Sequence, residues 1–537
     1  MKKFHLNDPI LRFLPNHNIP RKVVIFPIAA FILIGLIGLI SLFFHPNQVY
    51  NGGTDYILYV KNKDLYLTDH QSQPAMIASN IFRPWVHNSE IYTDVDTLSD
   101  YIVISDNRGR IFFPIKYNDF TCTLAYRDLY TPKKGNRVID RNLYNYVVSA
   151  DGNSLIGEDF QDNLQRYTLP GRQFIATNIV SFETDAQADT IYWKANANLL
   201  NLNSPSTLYM QQSGSEAQVL ARGNVHLQAY SQDTQTIYFN QDHTLYKKAA
   251  DGQPEMISDD FYEINGLWET GELYFSSYSK LVGYSSIYYY DGEHTTELFK
   301  KCIQDCDFAQ TQPVGIIHAT PSGKDVWYFV SDGQLQLLED PQIQDAVISP
   351  YGNMLAYTTD DSNGNTSLYT VEIRENQLGQ PVKLDVDISL DTVTFMENSR
   401  LRYFAERTSD AGDLYIDGKL IDSNVLLYKY KCKPSDYWAY PPFPQTTVEY
   451  CVKTGATIYY TDFDSQQETG TLKLYNGEAS VVIDENVTNF QITESGDVFY
   501  LLNYDFSRYT GQLWVYRNGE RHLVDNGVTD LISFQDN

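Results

Sequence analysis

The stretch TIYYTDFDSQQETGTLKLYNGEASVVIDENV, residues 457–487, is followed by a second copy, VFYLLNYDFSRYTGQLWVYRNGERHLVDNGV, residues 498–528. The two copies are offset by 41 residues, and this offset brings Tyr459 onto Tyr500. A repeat of about 40 residues that alternates aromatic and β-branched side chains is typical of a β-propeller blade. We therefore expect an all-β protein built as a β-propeller.

Each copy consists of short apolar strands separated by polar turns. The pairs Asn476-Gly477 and Asn518-Gly519 are turn sequences that accept the positive φ angles of a tight hairpin. A unit of this size cannot bury both faces of its sheet alone. The repeat therefore predicts that each unit packs between two neighbours.

The two ends of residues 55–537 complement each other. Tyr56 begins a unit that lacks its first strand, and residues 529–534 form a first strand with no unit after it. We expect these terminal strands to close one blade together, because this arrangement removes two exposed sheet edges at once.

Weaker copies of the unit occur between the two ends, and the total is about eleven units. One propeller usually has about four to eight blades. We therefore predict two propellers, residues 55–310 and residues 311–537, which divide between Cys306 and Gly315. A single wide ring with some units miscounted is the alternative.

The repeated unit resembles the tyrosine-rich propeller domains of membrane-anchored proteins in Gram-positive bacteria. It is more distantly similar to YWTD and TolB-like propellers, through Ile191-Tyr192-Trp193 and Ser349-Pro350-Tyr351-Gly352. Lys194 follows Trp193 where the YWTD pattern has Thr-Asp. The resemblance covers most of residues 50–537 and implies a fold rather than an activity, because propellers include both enzymes and binding proteins.

Residues 23–44 form one uninterrupted apolar run that would span roughly 33 Å as a helix. Its length and the lack of a small-residue cleavage site favour a transmembrane helix over a cleaved signal peptide. Residues 1–22 carry five basic residues and one acidic residue, which predicts a cytoplasmic stub. We therefore expect a single-pass protein of the cell membrane, anchored in the lipid bilayer, with residues 45–54 as a stalk and the bulk of the chain extracellular.

The formal net charge of the 537-residue chain is −27, and no basic stripe offsets it. So acidic a surface repels nucleic acid, and we expect no nucleic-acid partner. The sequence has no metalloprotease, nucleophile-elbow, phosphate-binding-loop or dinucleotide motif. We therefore predict no catalytic residues, no metal site and no cofactor.

An insertion between Cys432 and Cys451 interrupts the 41-residue repeat. We predict that it binds a partner, because rigid aromatic residues in loops are typical of binding hot spots. The alternative is that the loop caps a hydrophobic gap between blades. The candidate binding residues are Tyr437, Trp438, Tyr440 and Phe443.

The cysteines lie beyond the apolar run, where disulfides are permitted. We predict the pairs Cys432–Cys451 and Cys302–Cys306, and Cys122 is left over. Free buried thiols are the alternative, because spacing alone does not prove pairing.

These observations favour a membrane-anchored, non-catalytic module that binds or scaffolds a protein or a cell-wall glycan. One alternative is a cell-surface hydrolase or lyase with a site at the mouth of the propeller. Another is a sensor that signals to the cytoplasmic stub.

Overall fold

Each unit of the repeat folds as a small antiparallel sheet whose strands alternate buried and exposed side chains. We analysed a computed structural model of the chain. It describes residues 55–69, 73–81, 85–87, 90–92, 102–117, 122–129, 131, 134–169, 171–196, 205–231, 236–249, 252–278, 285–340, 342–360, 366–386, 388, 392–396, 398–405, 410–429, 445–532 and 535–536.

The strands of the first half of the chain are β1 (Ile57–Lys61), β2 (Asp64–Thr68), β3 (Ala75–Ala78), β4 (Trp85–His87), β5 (Glu90–Tyr92), β6 (Val103–Ile104), β7 (Arg110–Tyr117), β8 (Cys122–Asp128), β9 (Arg137–Val148), β10 (Ser154–Asp159), β11 (Leu164–Thr168), β12 (Gly171–Ala176), β13 (Ile179–Thr184), β14 (Thr190–Asn196), β15 (Ser206–Gln212), β16 (Gln218–Gly223), β17 (Val225–Ser231), β18 (Thr236–Gln241), β19 (Thr244–Ala249), β20 (Glu255–Ser258), β21 (Glu263–Leu267), β22 (Leu273–Tyr278) and β23 (Ser285–Tyr290).

The remaining strands are β24 (Thr295–Phe308), β25 (Val314–Ala319), β26 (Val326–Ser331), β27 (Gln334–Leu337), β28 (Ile343–Ile348), β29 (Met354–Asp360), β30 (Thr366–Arg374), β31 (Gln377–Leu378), β32 (Val382–Val386), β33 (Thr394–Phe395), β34 (Leu401–Ala405), β35 (Ala411–Ile416), β36 (Lys419–Leu426), β37 (Tyr428–Lys429), β38 (Gln445–Thr446), β39 (Val448–Tyr450), β40 (Thr457–Asp464), β41 (Thr469–Tyr475), β42 (Ser480–Ile492), β43 (Val498–Asp505), β44 (Thr510–Arg517), β45 (Glu520–Ile532) and β46 (Gln535–Asp536). One 3-10 turn covers Pro321–Gly323.

Among the described residues the strands form eleven units of four strands each. We number the units along the chain. Unit one contains β1–β3, unit two begins at β6, unit three at the second half of β9, unit four at β13, unit five at β17 and unit six at β21. Unit seven begins at the second half of β24, unit eight at β28, unit nine at β33, unit ten at β39 and unit eleven at the second half of β42.

The repeat described in the sequence is confirmed in units ten and eleven. The fourth strand of unit ten and the first strand of unit eleven are one continuous strand, β42, with a β-bulge between Val487 and Asn489. The Asn518-Gly519 turn has the predicted positive φ angles, 50° and 85°. The long strand therefore passes from the outer edge of one unit to the inner edge of the next.

The predicted closure by both chain ends is also confirmed. The end of β45 pairs with β1, with Leu58 opposite Ile532 and Val60 opposite Asp530. This pairing supplies unit one with its missing first strand. Beyond it, β46 pairs in parallel with β6, so the C-terminal strands contact units one and two.

The prediction of two propellers is wrong. The predicted division after residue 310 falls between β24 and β25, which pair with each other in a single sheet. Within the described residues, eleven hydrophobic clusters each join one unit to the next, and the last joins unit eleven to unit one. The described units between residues 55 and 532 thus follow one another in one closed ring, as the alternative prediction stated.

A repeated contact between an aspartate and a tyrosine, which we call the tyrosine clasp, joins neighbouring units. Tyr459 of unit ten donates its hydroxyl to Asp422 of unit nine at 3.0 Å, and Lys473 lies 2.8 Å from the same carboxylate. At the next interface Tyr500 donates to Asp484 at 3.0 Å. Burial and the carboxylate raise the pKa of Tyr500 above its ordinary range, so its hydroxyl stays a donor.

The sequence from Ser349 to Gly352 forms a turn, which we call the TolB-like turn after the sequences it is similar to, and equivalent turns follow two other first strands. Ser349, Ser149 and Ser105 are each fully buried at the end of a first strand. The Ser349 hydroxyl accepts a hydrogen bond from the Met354 N–H at 3.0 Å and so closes the turn. Gly352 has φ of +65°, and a Cβ there would lie 2.5 Å from Val314 of unit seven. The turn is therefore also a contact between units.

The predicted cytoplasmic stub, transmembrane helix and stalk, residues 1–54, lie outside the described residues. Within the part of the chain that the structure describes, no helix is long and apolar enough to cross a membrane.

Candidate functional site

Acidic side chains recur on the first strands of the units, which in a propeller lie nearest the central axis. Five of them, Glu183, Glu263, Asp305, Asp307 and Asp345, are exposed to solvent, whereas Glu449 of unit ten and Asp530 of unit one are half-buried. Three of them come from two consecutive units, seven and eight. We call Asp305, Asp307 and Asp345 the carboxylate cluster.

The strand β24 positions two members of the carboxylate cluster. Asp305 and Asp307 alternate with Cys306 and Phe308, which pack into the hydrophobic cluster between units six and seven. Oδ2 of Asp307 accepts a hydrogen bond from the Ile348 N–H of unit eight at 3.1 Å. This bond fixes the carboxylate against the neighbouring unit.

Asp305 and Asp345 occupy equivalent positions in units seven and eight. Each follows a β-bulge in its first strand. Oδ1 of Asp305 accepts the Cys306 N–H at 2.8 Å, and Oδ1 of Asp345 accepts the Ala346 N–H at 2.8 Å. The bulge thus gives the two carboxylates equivalent places on the first strands of consecutive units.

Two members of the carboxylate cluster have a raised pKa. Burial, together with the charges of Asp305 and Asp345, raises the pKa of Asp307 above its ordinary value, although backbone N–H groups oppose the shift. Burial also raises the pKa of Asp345, and the charge of His318 opposes that rise. A carboxyl that holds its proton beside an ionised one is the arrangement needed for general acid and base catalysis.

His318 extends the cluster on the second strand of unit seven. It lies directly opposite Asp305 in the pairing of β24 with β25. Its ring stacks on Trp327 with centroids 4.5 Å apart, and its Nε2 lies 3.6 Å from Oδ1 of Asp325. The stacking and this contact hold the imidazole in place on the strand position opposite Asp305.

The carboxylate cluster is not a metal site by its geometry. Among the described residues, no group of three or more His, Cys, Asp or Glu side chains is arranged to hold a metal ion.

Tyr437, Trp438, Tyr440 and Phe443 lie outside the described residues, so their role stays a prediction.

The predicted Cys302–Cys306 disulfide is wrong. Both residues lie in β24, where four residues of extended chain span about 13 Å, whereas a disulfide needs Cα atoms within about 7 Å. Cys306 carries a free thiol. Cys451 is also a free, buried thiol, and its Sγ lies 3.4 Å from the Glu494 carbonyl oxygen. Its predicted partner Cys432 lies outside the described residues.

The sequence analysis did not single out the carboxylate cluster. A signal was present, because Asp305, Asp345, Asn489 and Asp530 all follow the bulge of a first strand and accept the next backbone N–H. Aspartate or asparagine recurring at one position of a repeat marks a shared surface of the ring.

No family model matches the chain, and no curated protein sequence is similar to it. Solved structures do resemble it. A eukaryotic initiation factor matches with a TM-score of 0.36 and 8% identity, over 77% of this chain and 96% of that chain. The β-propeller domain of the Trilobed protease from Pyrococcus furiosus matches with a TM-score of 0.26 and 15% identity, over 53% of this chain and 98% of that chain.

Dipeptidyl peptidase 4 of Porphyromonas gingivalis matches with a TM-score of 0.31 and 11% identity, over 71% of this chain and 59% of that chain. Several further matches are also peptidases. These enzymes contradict the prediction of a non-catalytic binding or scaffolding module and the prediction that the chain is not an enzyme. At these scores and identities the likeness extends to the β-propeller fold alone.

Proposed function

We propose that the chain is a hydrolase of glycans whose acid and base groups belong to the carboxylate cluster. The observation that supports this proposal is the placement of two carboxyl groups, Asp307 and Asp345, on the first strands of consecutive units, where Asp307 is bonded to the Ile348 N–H of the neighbouring unit and has a raised pKa. Hydrolysis of a glycosidic bond needs a protonated carboxyl that gives its proton to the leaving oxygen. It also needs a second carboxylate that either activates a water molecule or attacks the sugar. This chemistry needs no metal ion and no cofactor.

The environments of the two carboxyl groups suggest separate roles. Asp307 is flanked by the charges of Asp305 and Asp345, which favour its protonated form, so we assign it as the general acid. Asp345 lies near His318, whose charge favours the ionised form, so we assign it as the carboxylate that activates water or attacks the sugar. Asp305 keeps the local field negative.

The proposal includes the location of the enzyme. The apolar run of residues 23–44 and the preceding Arg21 and Lys22 support a membrane anchor with the ring outside the cell. The tyrosine-rich repeats suggest a relation to propeller ectodomains of Gram-positive bacteria. The substrate would then be a cell-surface glycan, whose neutral or cationic sugars suit a chain of net charge −27.

The test is turnover of purified cell-wall glycans by the full-length chain, measured as release of reducing ends. Asp307→Asn and Asp345→Asn should each lower the rate by about 10²–10⁴-fold. Asp106→Asn, at an exposed turn of unit two, is the control and should keep the wild-type rate. Unchanged melting temperatures would show that the variants fold.

Failure of the wild-type chain to cleave any glycan in the panel would contradict the proposal. A parallel panel of peptides distinguishes a glycan hydrolase from a peptidase that uses the same site. Cleavage of peptides alone, abolished by the same two substitutions, would keep the site but replace the glycan with a peptide substrate.

A further inference from the structure

A cavity of about 460 Å³ lies at the end of the units where first strands turn into second strands. It is lined by the turns of units ten and eleven, by Tyr56 at the start of unit one and by Arg108 in the corresponding turn of unit two. The cavity therefore spans the place where the two chain ends close the ring. We call it the seam pocket. None of the carboxylate cluster lines it.

The seam pocket is lined by more basic than acidic side chains, whereas the chain as a whole is acidic. Arg108 and Lys453 face a single acid, Glu494, whereas the whole chain has a net charge of −27. The Arg108 side chain is only 10% exposed, and its guanidinium lies 2.8 Å from Oε1 of Glu494. Lys453 is exposed. One positive charge is thus left for an anion.

The pocket also contains a buried hydrogen-bond acceptor that lacks a donor. Oε1 of Gln491 is buried and has no hydrogen-bond partner in the structure. Leaving a buried polar atom without a partner costs free energy, which a bound molecule with an O–H or N–H donor would recover. The ligand therefore needs a donor as well as a negative charge.

Two tyrosines give the pocket fixed walls. The Arg108 guanidinium lies 5.9 Å from the centre of the Tyr56 ring. The Tyr450 hydroxyl accepts a hydrogen bond from Asn398 of unit nine, which holds its ring in place. Rigid walls reduce the entropy that binding would otherwise cost.

We propose that the seam pocket binds a small carboxylate that also bears a hydroxyl or N–H donor. The carboxylate pairs with Lys453, and the hydroxyl or N–H of the ligand donates to Oε1 of Gln491. A cavity of this size encloses a compact organic acid. Because the pocket joins both ends of the ring, the ligand is expected to stabilise the closed ring by mass action.

The test is calorimetric titration of the full-length chain with malate and with succinate, which differs from malate only in lacking the hydroxyl. Malate should bind about tenfold more tightly than succinate, because only malate satisfies Gln491. Lys453→Ala should weaken malate binding about tenfold. The control Lys63→Ala removes an exposed lysine from a hairpin of unit one and should change nothing.

A second variant separates the two contacts. Gln491→Leu should make malate and succinate bind equally while leaving succinate affinity unchanged, and an unchanged melting temperature would verify its fold. The proposal is overturned if neither acid binds, if the two acids bind the wild-type chain equally, or if Lys453→Ala binds malate as the wild type does.

Discussion

The hydroxyl of Tyr59 donates a hydrogen bond to Oδ2 of Asp525 at 2.7 Å, although the two residues lie 466 positions apart in the chain. Lys61 lies 2.6 Å from the other oxygen of the same carboxylate. This contact is the tyrosine clasp of units nine, ten and eleven, repeated between unit eleven and unit one. The ring is therefore closed by the same contact that joins its ordinary units.

Removing the clasp at the closure should weaken the fold. Tyr59→Phe should lower the free energy of unfolding by about 1–2 kcal/mol, because Asp525 loses a donor in a partly buried place. Denaturant titration measures this loss. Tyr500→Phe is the matched variant at the preceding interface and should cost a similar amount. A coupling energy near zero in a Tyr59→Phe and Asp525→Asn cycle would contradict the assignment.

Shortening the C-terminus should open the ring. Deletion of residues 528–537 removes the strand that pairs with β1 and uncovers an apolar sheet edge. We expect non-cooperative thermal unfolding and aggregation, seen by calorimetry and light scattering. Deletion of residue 537 alone leaves both pairings in place and serves as the control. A truncated chain with the wild-type melting profile would refute this expectation.

A buried carboxyl in unit three should make stability depend on pH. Burial and the neighbouring Asp162 and Asp159 raise the pKa of Glu158 to about 7 from the ordinary 4.5. Between these values only the folded chain keeps the proton, so stability should fall as the pH rises from 4.5 to about 7 and then stay level.

Glu158→Gln should remove the share of this dependence that Glu158 contributes, and Glu449, whose pKa burial also raises to about 7, should keep its own. Above pH 7 the variant should be more stable by up to roughly 3 kcal/mol, and the advantage should vanish near pH 4.5. Melting temperatures at several pH values measure the difference. The exposed Glu485→Gln is the control. A constant difference across the pH range would show that Glu158 does not carry the effect.

The hydrolase should work best in the acidic range. Asp307 must be protonated to act as the acid, and its pKa is raised, so activity should fall as the pH rises through that pKa. Asp307→Asn should lack this fall in its residual rate. Rate measurements across the pH range test this, and a profile that the substitution leaves unchanged would remove Asp307 from the role.

The TolB-like turn of unit eight should tolerate no side chain at its glycine. In Gly352→Ala the new Cβ would meet Val314 at 2.5 Å and would also need a φ of +65°. Gly477→Ala requires positive φ too, but nothing lies within 4 Å of its Cβ. We expect about 1 kcal/mol of destabilisation at Gly477 and clearly more at Gly352. Equal losses would mean that unit seven moves aside.

Local and repeated features of the fold were predictable from the sequence. The Asn518-Gly519 turn, the alternation in units ten and eleven, and the pairing of both chain ends all follow from patterns of a few residues. The number of propellers was not predictable from the sequence, because the size of a ring depends on the angle between neighbouring units. That angle is set by side chains of both units, such as those between β24 and β28, and no single unit encodes it.

The candidate site escaped prediction for a related reason. Burial and the charges of Asp305 and Asp345 raise the pKa of Asp307, and the Ile348 N–H opposes that rise; Asp345 and Ile348 belong to the next unit. Along the chain these residues are ordinary members of an acidic surface. Only the packing of unit seven on unit eight brings them together.

The pairing of β45 with β1 also sets the order of events during synthesis. The strand that a ribosome makes among the first must wait for a partner made among the last. Until then every nascent chain is an open arc with an unpaired edge at β1, and a premature stop codon anywhere leaves it permanently open. A holding chaperone that covers β1 during translation would therefore have more effect on yield than one that acts on the finished chain.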